Sequence, residues 1–591
     1  MRLVFDIETN GLLEQLDRIH IIVAEDIDTG AAYDFGPDAI DEGIALLMQA
    51  DWLGGHNIIK FDIPAIQKIY PDFNPKAEIF DTLVASRLIW SNLSDRDHAM
   101  TAKGKGITGK MVGSHALGAW GQRLGEAKGD YEGSWEHWNQ EMHDYAIQDA
   151  VVTNKLWKLI DSKGYSKTSL DLEMRVAEIM ARCERKGFAF DVTGAEALTN
   201  KLIAQRAQLE VDLQDSFKPW YSKVEEVTPK RSINYKNKAG VVAGASYTKV
   251  KLNIFNAGSR QHIANRLQAL FGWKPTDWNA NGTPKVDETT LAGMQYPEAQ
   301  LLGSYLLLVK RLGQLAEGKQ AWLNVQSNGR IHATYMTNQA VTGRAVHRYP
   351  NIAQVPSVGA LYGKECRELF TVTKGRKLVG VDLSGLELRC LSHFMSKWDE
   401  GAYGEELLKG DIHTANMKAA GLDDRQQAKG FIYGFLYGAG AEKLGSMVGG
   451  NRSHGQRLKD RFLSKTPALA NLIAAVQSAA KKGYLKGLDG RQVYVRHQHA
   501  ALNTLLQSAG ALLAKAWLVE IDKGLKAAGI ADRVDLVAWV HDEVQMECDN
   551  DIAEKAKCIA EEAAVKAGEF FDFRIIIEAE GTIGNNWSDT H

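Results

Sequence analysis

What the 591-residue chain has little of narrows its class before any motif is read. Its five cysteines (Cys183, Cys366, Cys390, Cys548 and Cys558) include no C-x-x-C pair, which excludes a zinc ribbon and a disulfide framework and points to a reducing compartment. No apolar run is long enough to span a bilayer and no secretory leader opens the chain, so a soluble protein of the cytoplasm, with no membrane partner, is expected. A strong charge of either sign is also missing: the net charge is −3 and the pI is near 6.6. Any polyanion-binding surface must then be a local patch rather than a property of the whole molecule. What is present is ordinary globular material, 45% hydrophobic and 24% charged, enough for several packed domains.

Chemistry appears within the first ten residues. In a strand, positions i and i+2 face the same way, so VFDIET turns Val4, Asp6 and Glu8 to one side and Phe5 and Ile7 to the other. Alone the pair decides nothing, because 73 acidic residues predict about nine acid-x-acid triplets by chance. Two further segments add to it. GGHNIIKFDIPAI brings Asp62 behind a second apolar strand, and HDYAIQDAVVTNKLW sets Tyr145 and Asp149 one helical turn apart on one face. Four carboxylates can hold two divalent metals about 4 Å apart, one activating a water and the other stabilising the leaving oxygen in phosphodiester hydrolysis, with Tyr145 orienting the water.

A helix near residues 151–161, the loop DSKGYSKTS and a helix that stops at Gly187 lead out of this region, with a new domain beginning near residue 170. Residues 194–216 and 303–316 read as long amphipathic helices flanking a stretch of Gly, Pro, Asn and Lys. Within it, residues 218–251 carry eight Lys or Arg against two Glu, with Trp220, Tyr221, Tyr235 and Tyr247 interleaved. That pattern suits phosphate contact, a partner-binding loop or a solubilising surface loop.

In the carboxy-terminal half, KLVGVDLSGLELRCLSHF is an apolar strand that ends at Asp382 and turns into a helix, and Ser384 with Glu387 fits a capping box. VDLVAWVHDEVQMEC alternates as a β-hairpin with His541, Asp542 and Glu543 at its apex. Asp382 and Asp542 are therefore expected to meet at one sheet edge and share two magnesium ions. Between them Arg425, Lys429 and Tyr433 recur every four residues, a stripe of two cations and an aromatic on one helix face that suits a triphosphate. Gly434, and Tyr437 beside Gly438, are poor helix formers and point to the close approach of a ligand.

The order D-x-E, N-x-x-x-x-D, Y-x-x-x-D resembles the DEDDy 3′→5′ exonucleases, which are ribonuclease-H-like α/β domains. Behind it, D-x-S-x-x-E-x-R, R-x-x-x-K-x-x-x-Y-G-x-x-Y-G and V-H-D-E resemble the family A (polymerase I type) DNA polymerases. DTLVASRLIWSNL, GDIHTANM, FIYGFLYGAG and ALNTLLQSAGAL are similar to the replicative polymerases of short-tailed phages of the coliphage T-seven kind. The resemblance covers nearly the whole chain. It implies a multidomain α/β and α+β protein: a ribonuclease-H-like DEDDy exonuclease domain over residues 1–165, then a right-hand polymerase domain over 170–591. In that hand the thumb takes about 193–325 with the basic loop 218–251, the fingers about 400–520, and the palm about 326–399 and 521–591.

The resemblance also implies roles. Asp382, Asp542 and the backbone carbonyl of Leu383 would hold two Mg²⁺ ions, for which Mn²⁺ can substitute, with Glu543 in support; Asp6, Glu8, Asp62 and Asp149 would hold two more. One palm metal would activate the primer 3′-hydroxyl and the other neutralise the triphosphate. Arg425, Lys429 and His413 would bind the triphosphate, Lys429 also donating a proton to pyrophosphate. Tyr433 would face the sugar and base, and Glu387 beside Tyr437 would crowd the sugar 2′ position against ribonucleotides. Arg344, Gln354, Asn503, Gln507 and His541 would contact DNA, the first four at minor-groove acceptors common to all base pairs.

The implied partners are primer–template DNA, deoxynucleoside triphosphates and a replicative helicase-primase, in the cytoplasm of a bacterial host if the chain is phage-encoded. Two departures stand out. The chain opens directly at the exonuclease strand, so no 5′ nuclease domain is expected. The basic loop is clearly shorter than the insertion by which the coliphage relatives recruit thioredoxin, so thioredoxin stays open as a partner beside direct clamping of DNA or a different protein. The rival readings are a single-subunit RNA polymerase, against which Glu387 and the exonuclease argue, and an exonuclease joined to a non-catalytic DNA clamp.

Overall fold

Alternation in the first ten residues builds the amino-terminal sheet. Strands β1 (Arg2–Thr9), β2 (Ile19–Asp26), β3 (Ala32–Phe35), β4 (Trp52–Gly55) and β5 (Glu78–Asp81) lie in the order β3-β2-β1-β4-β5, with β1 antiparallel to β2 and parallel to β4. Leu3, Phe5 and Ile7 point into a core with Ile22, Leu53, Ile58 and Ile66, each such burial contributing roughly 1.5–3 kcal/mol. Asp6 and Glu8 take the other face, where their cross-strand partners are Val23 and Ile21.

Two helices close on this sheet, α1 (Asp62–Ile69) and α2 (Gln140–Asp161). Ala146 and Ala150 of α2 are small enough for the helix to settle onto Ile21 and Val23, and Asn139 caps it by accepting from the Met142 N–H at 2.8 Å. The helix expected near 151–161 is the second half of this single 22-residue helix, because nothing between Tyr145 and Val151 breaks the periodicity. Helix α3 (Lys167–Lys186) follows and ends, as expected, at Gly187, whose φ of 65° suits a residue without a side chain.

The computed structural model describes residues 1–104, 106–236 and 238–591, so Asn237 of the basic segment lies outside the described residues. The chain divides into two compact units, one of Met1–Ala189, His332–Val358 and Phe370–His591, the other of Phe190–Ile331 and Gly359–Leu369. In the second unit, α4 (Val192–Ser216) precedes the basic segment. That segment is not an irregular loop. It folds as β6 (Trp220–Val227), β7 (Ile233–Tyr235), β8 (Lys238–Val241) and β9 (Tyr247–Asn253), with β6 paired to β9 and β7 to β8, both antiparallel. Backbone pairing forms the ribbon although its strands bury little, with Tyr221 70% and Leu252 50% exposed on one face and Lys251 exposed on the other, so burial leaves no periodicity for the sequence to display. Helices α5 (Arg260–Phe271) and α6 (Pro297–Leu312) complete a core with Leu213, Phe217, Phe255 and Leu302.

The carboxy-terminal part of the first unit is an antiparallel sheet of β10 (Arg376–Leu383), β11 (Val534–Val540), β12 (Glu543–Asp549) and β13 (Ala579–Gly584), in the order β11-β12-β10-β13. From β10 the chain runs into α7 (Leu386–Asp399), then α8 (Ile412–Ala420), α9 (Arg425–Leu436), α10 (Ala501–Ala527) and, after the hairpin, α11 (Ala553–Phe570). Buried alanines 556, 560, 563, 564 and 567 let α11 lie close to its neighbours, and Trp517 of α10 donates to the Ala560 carbonyl at 2.7 Å. Among the described residues no helix is long and apolar enough to cross a membrane.

Candidate active sites

The amino-terminal site grows from the pairing of β1 with α2. Asp6, Glu8 and Asp149 each offer an oxygen within 4.8 Å of the others. Asp62, the fourth carboxylate expected here, is not one of these three; it opens α1, is buried, and accepts the Ile7 N–H at 3.2 Å. Charge is crowded all the same. Burial, then Asp62, Glu8 and Asp149, pushes Asp6 well above the usual carboxylate range. Burial, then Asp149 and Asp62, pushes Glu8 up to about 8, and burial pushes Asp62 up to about 7 against the Ile7 hydrogen bond. Oδ1 of Asp149 is buried and has no hydrogen-bond partner. The donor set therefore fits divalent cations, which would relieve the repulsion and take up the orphaned oxygen.

Tyr145 sits one turn from Asp149, as expected, within an aromatic group: the Tyr131 and Trp135 rings lie 6.0 and 6.1 Å from its own. Sequence reasoning missed a cation. Lys128 makes an ion pair with Asp149 and its ammonium stands 4.7 Å from the centre of the Tyr145 ring. Burial works against that charge, yet Asp149 and Tyr145 hold it above its ordinary value. No periodicity connects residue 128 with residue 149, so only the fold reveals the pair.

The carboxy-terminal site forms where β10 meets the apex of the β11–β12 hairpin. His541 takes φ 61° at the turn, and the Leu383 N–H donates to the Asp542 carbonyl at 3.0 Å, tying the apex to the end of β10. Asp382 stands directly across from Glu543 on one side and Glu580 on the other. Partial desolvation at the sheet edge, then Asp542 and Glu543, push Asp382 up to about 7, and burial raises Asp542. No Lys or Arg pairs with either among the described residues, so this donor set also fits cations. Glu543 is buried and held by Gln545 at 2.7 Å, Trp587 at 2.5 Å and His591 at 3.2 Å. Trp587 and His591 were not singled out from the sequence, which separates them from Glu543 by more than forty residues.

The expected stripe is real: Arg425, Lys429 and Tyr433 all lie on α9. Arg425 pairs with Asp411 at 2.9 Å, whereas Lys429 has no acidic partner among the described residues. His413, on α8, lies 6.4 Å ring to ring from Tyr433, which lies 6.5 Å from Tyr437. The His413 Nδ1 is buried and unpartnered. The Tyr437 hydroxyl donates to Glu387, whose other neighbour is Arg344 at 3.7 Å. The capping box expected of Ser384 and Glu387 does not form. Gly385, at φ 58°, caps α7 without a side-chain bond, because the Ser384 N–H is taken by the Glu578 carbonyl and Glu387 by Tyr437. Asn503 and Gln507 sit half-buried one turn apart on α10, Gln354 lies in the short turn Ile352–Gln354, and His541 lies 6.1 Å from His347.

Comparison with known proteins adds three findings. The family described as DNA polymerase family A matches residues 226–589. The DNA-directed DNA polymerases of Enterobacteria phage T3 and Escherichia phage T7 are each 39% identical to the chain, over all of both proteins. Those alignments run to 706 positions against 591 residues here, so more than a hundred positions of the relatives have no counterpart in this chain. A solved structure titled as the POL domain of Pol1 from M. smegmatis in complex with DNA primer-template and dNTP superposes with a TM-score of 0.75 over 100% of this chain and 95% of that one, at 17% identity, a likeness of fold.

Proposed function

The chain belongs to DNA polymerase family A and is a DNA-directed DNA polymerase, and from that premise we propose that Asp382 and Asp542 form its polymerising centre and Asp6, Glu8, Asp62, Asp149 and Tyr145 a 3′→5′ proofreading centre. The observation that carries the reading is the meeting of Asp382 with the Asp542 apex beside a helix whose Lys429 has no carboxylate of its own. The family implies divalent metals, here Mg²⁺ with Mn²⁺ able to replace it, which when bound neutralise phosphate charge and activate the attacking oxygen.

The protein's own residues do the rest. Arg425 and Lys429 bind the triphosphate of an incoming deoxynucleotide, Arg425 exchanging Asp411 for phosphate, and His413 offers its unpartnered nitrogen to the same tail. Lys429 carries the proton that the departing pyrophosphate needs. The Tyr437–Glu387 pair closes the floor beneath the sugar, where a 2′-hydroxyl would meet a carboxylate already hydrogen-bonded. Arg344, Gln354, Asn503, Gln507 and His541 contact the primer–template. The β6–β9 ribbon of a thumb domain, with Lys230, Arg231 and Lys251 free of acidic partners among the described residues, carries cations suited to phosphate.

Single-encounter primer extension, with a DNA trap and Mg²⁺, tests this reading against an RNA polymerase and against a passive clamp. Deoxynucleotides extend the primer and ribonucleotides do not. Preferred use of ribonucleotides, or shortening without extension at every nucleotide concentration, would overturn it.

A further inference from the structure

We propose that Lys128 is a positioning residue of the amino-terminal site, dividing the two oxygens of Asp149 so that one is held by the protein and the other is left for a cation. This rests on the proofreading reading above. The observations are geometric. The Lys128 ammonium pairs with Oδ2 of Asp149, while Oδ1 of the same carboxylate is buried and without a partner, and Asp149 is 4% exposed. The free oxygen belongs to the group that Asp6 and Glu8 complete. The same ammonium lies over the Tyr145 ring at 4.7 Å, so one cation touches both functional side chains that α2 contributes.

The approach of Lys128 is itself built. Gln148 of α2 donates to the Ala127 carbonyl at 2.8 Å and to Glu126 at 3.1 Å, and Lys155 of α2 pairs with Glu126. The helix that carries Tyr145 and Asp149 therefore also anchors the segment that delivers the lysine. A carboxylate with two free oxygens would rotate about its terminal torsion, which is broad and twofold; one oxygen fixed by an ammonium fixes the other. The Tyr145 ring is in contact with the same ammonium and packs with the Tyr131 and Trp135 rings, which restrains the group that would orient the attacking water.

This role has a signature that a merely structural prop lacks. Removing the ammonium takes away a positive charge that repels a divalent cation, so at a pH high enough to ionise the carboxylates the affinity of the site for that cation holds or rises, while the loss of orientation slows cleavage. The test uses the full chain. Mn²⁺ binding is titrated in the wild type, Lys128→Met, Lys128→Arg and the Asp6→Ala, Glu8→Ala double variant, whose lost binding defines this site. Release of nucleotides from a labelled single-stranded oligonucleotide is timed in parallel, and thermal midpoints report folding.

Lys128→Met should excise roughly 10–100-fold more slowly, the range for residues that orient metal ligands, with Mn²⁺ bound at least as tightly as in the wild type, and Lys128→Arg should recover most of the rate. Excision by Lys128→Met at the wild-type rate, a fall in Mn²⁺ affinity parallel to the fall in rate, or an Arg variant as slow as the Met variant would overturn the proposal. If the wild type itself releases no nucleotide and the double variant binds as much Mn²⁺ as the wild type, the proofreading reading fails and this inference falls with it.

Discussion

At the amino-terminal site Asp6, Glu8 and Asp149 converge with a lysine already in contact; at the carboxy-terminal site Asp382 and Asp542 converge with no lysine or arginine paired to them among the described residues. The comparison separates two ways of handling crowded negative charge. The first site gathers three carboxylates, Asp6 and Glu8 half-buried and Asp149 buried, with Asp62 adding to the charge, and its fixed cation limits the repulsion before any ligand arrives. The second holds Glu543 by binding it to Trp587, Gln545 and His591, and stations its cations on α9. On the reading proposed above, a site that accepts a highly charged triphosphate gains from a cation such as Lys429 that is not committed to a carboxylate, whereas a site that cuts one phosphodiester at a chain end can keep its lysine in place.

The largest expected break in that contrast is at Lys429. Lys429→Ala should slow nucleotide addition roughly 10²–10⁴-fold, the usual worth of a positioned proton donor, and leave excision at its wild-type rate in a paired assay. Equal slowing of both reactions would mean that the two sites are not independent. Next comes the sugar floor. Glu387→Ala should raise ribonucleotide incorporation relative to deoxynucleotide by roughly 10–200-fold, the range for one discriminating contact, measured as the ratio of kcat/KM values. Unchanged discrimination would leave the Tyr437–Glu387 pair without a role in sugar choice.

The smallest effect is in pH. Asp382 is held up at about 7, so protons compete with Mg²⁺ for it below neutrality, and the half-saturating Mg²⁺ for extension should rise roughly tenfold between pH 8 and pH 6. Because its folded value is raised, the same carboxyl favours the metal-free folded protein at low pH and loses that contribution as pH rises through 7. A Mg²⁺ requirement independent of pH would contradict the crowding of Asp382 by Asp542 and Glu543.

Much of both sites was legible because it rests on short-range periodicity. Two-residue alternation set Asp6 and Glu8 on one face, four-residue spacing set Tyr145 with Asp149 and Arg425 with Lys429 and Tyr433, and the hairpin alternation put Asp542 at an apex. What escaped were contacts made by closure of the fold: Lys128 on Asp149, Trp587 and His591 on Glu543, and the Ile7 N–H on Asp62. The capping box failed for a related reason. Ser-x-x-Glu is a local signal, and at Ser384 the sheet claimed the backbone and Tyr437 claimed the glutamate. The basic ribbon was legible in charge but not in structure, since strands exposed on both faces carry no burial pattern.

The central claim, two carboxylate sites with separate reactions in one chain, is tested most directly by one crossed experiment: an end-labelled primer–template in Mg²⁺, with and without deoxynucleotides, given Asp382→Asn or the Asp6→Ala, Glu8→Ala double variant. The account predicts that Asp382→Asn only shortens the primer and that the double variant only extends it. Extension surviving in Asp382→Asn, or loss of both reactions from either variant, would contradict it.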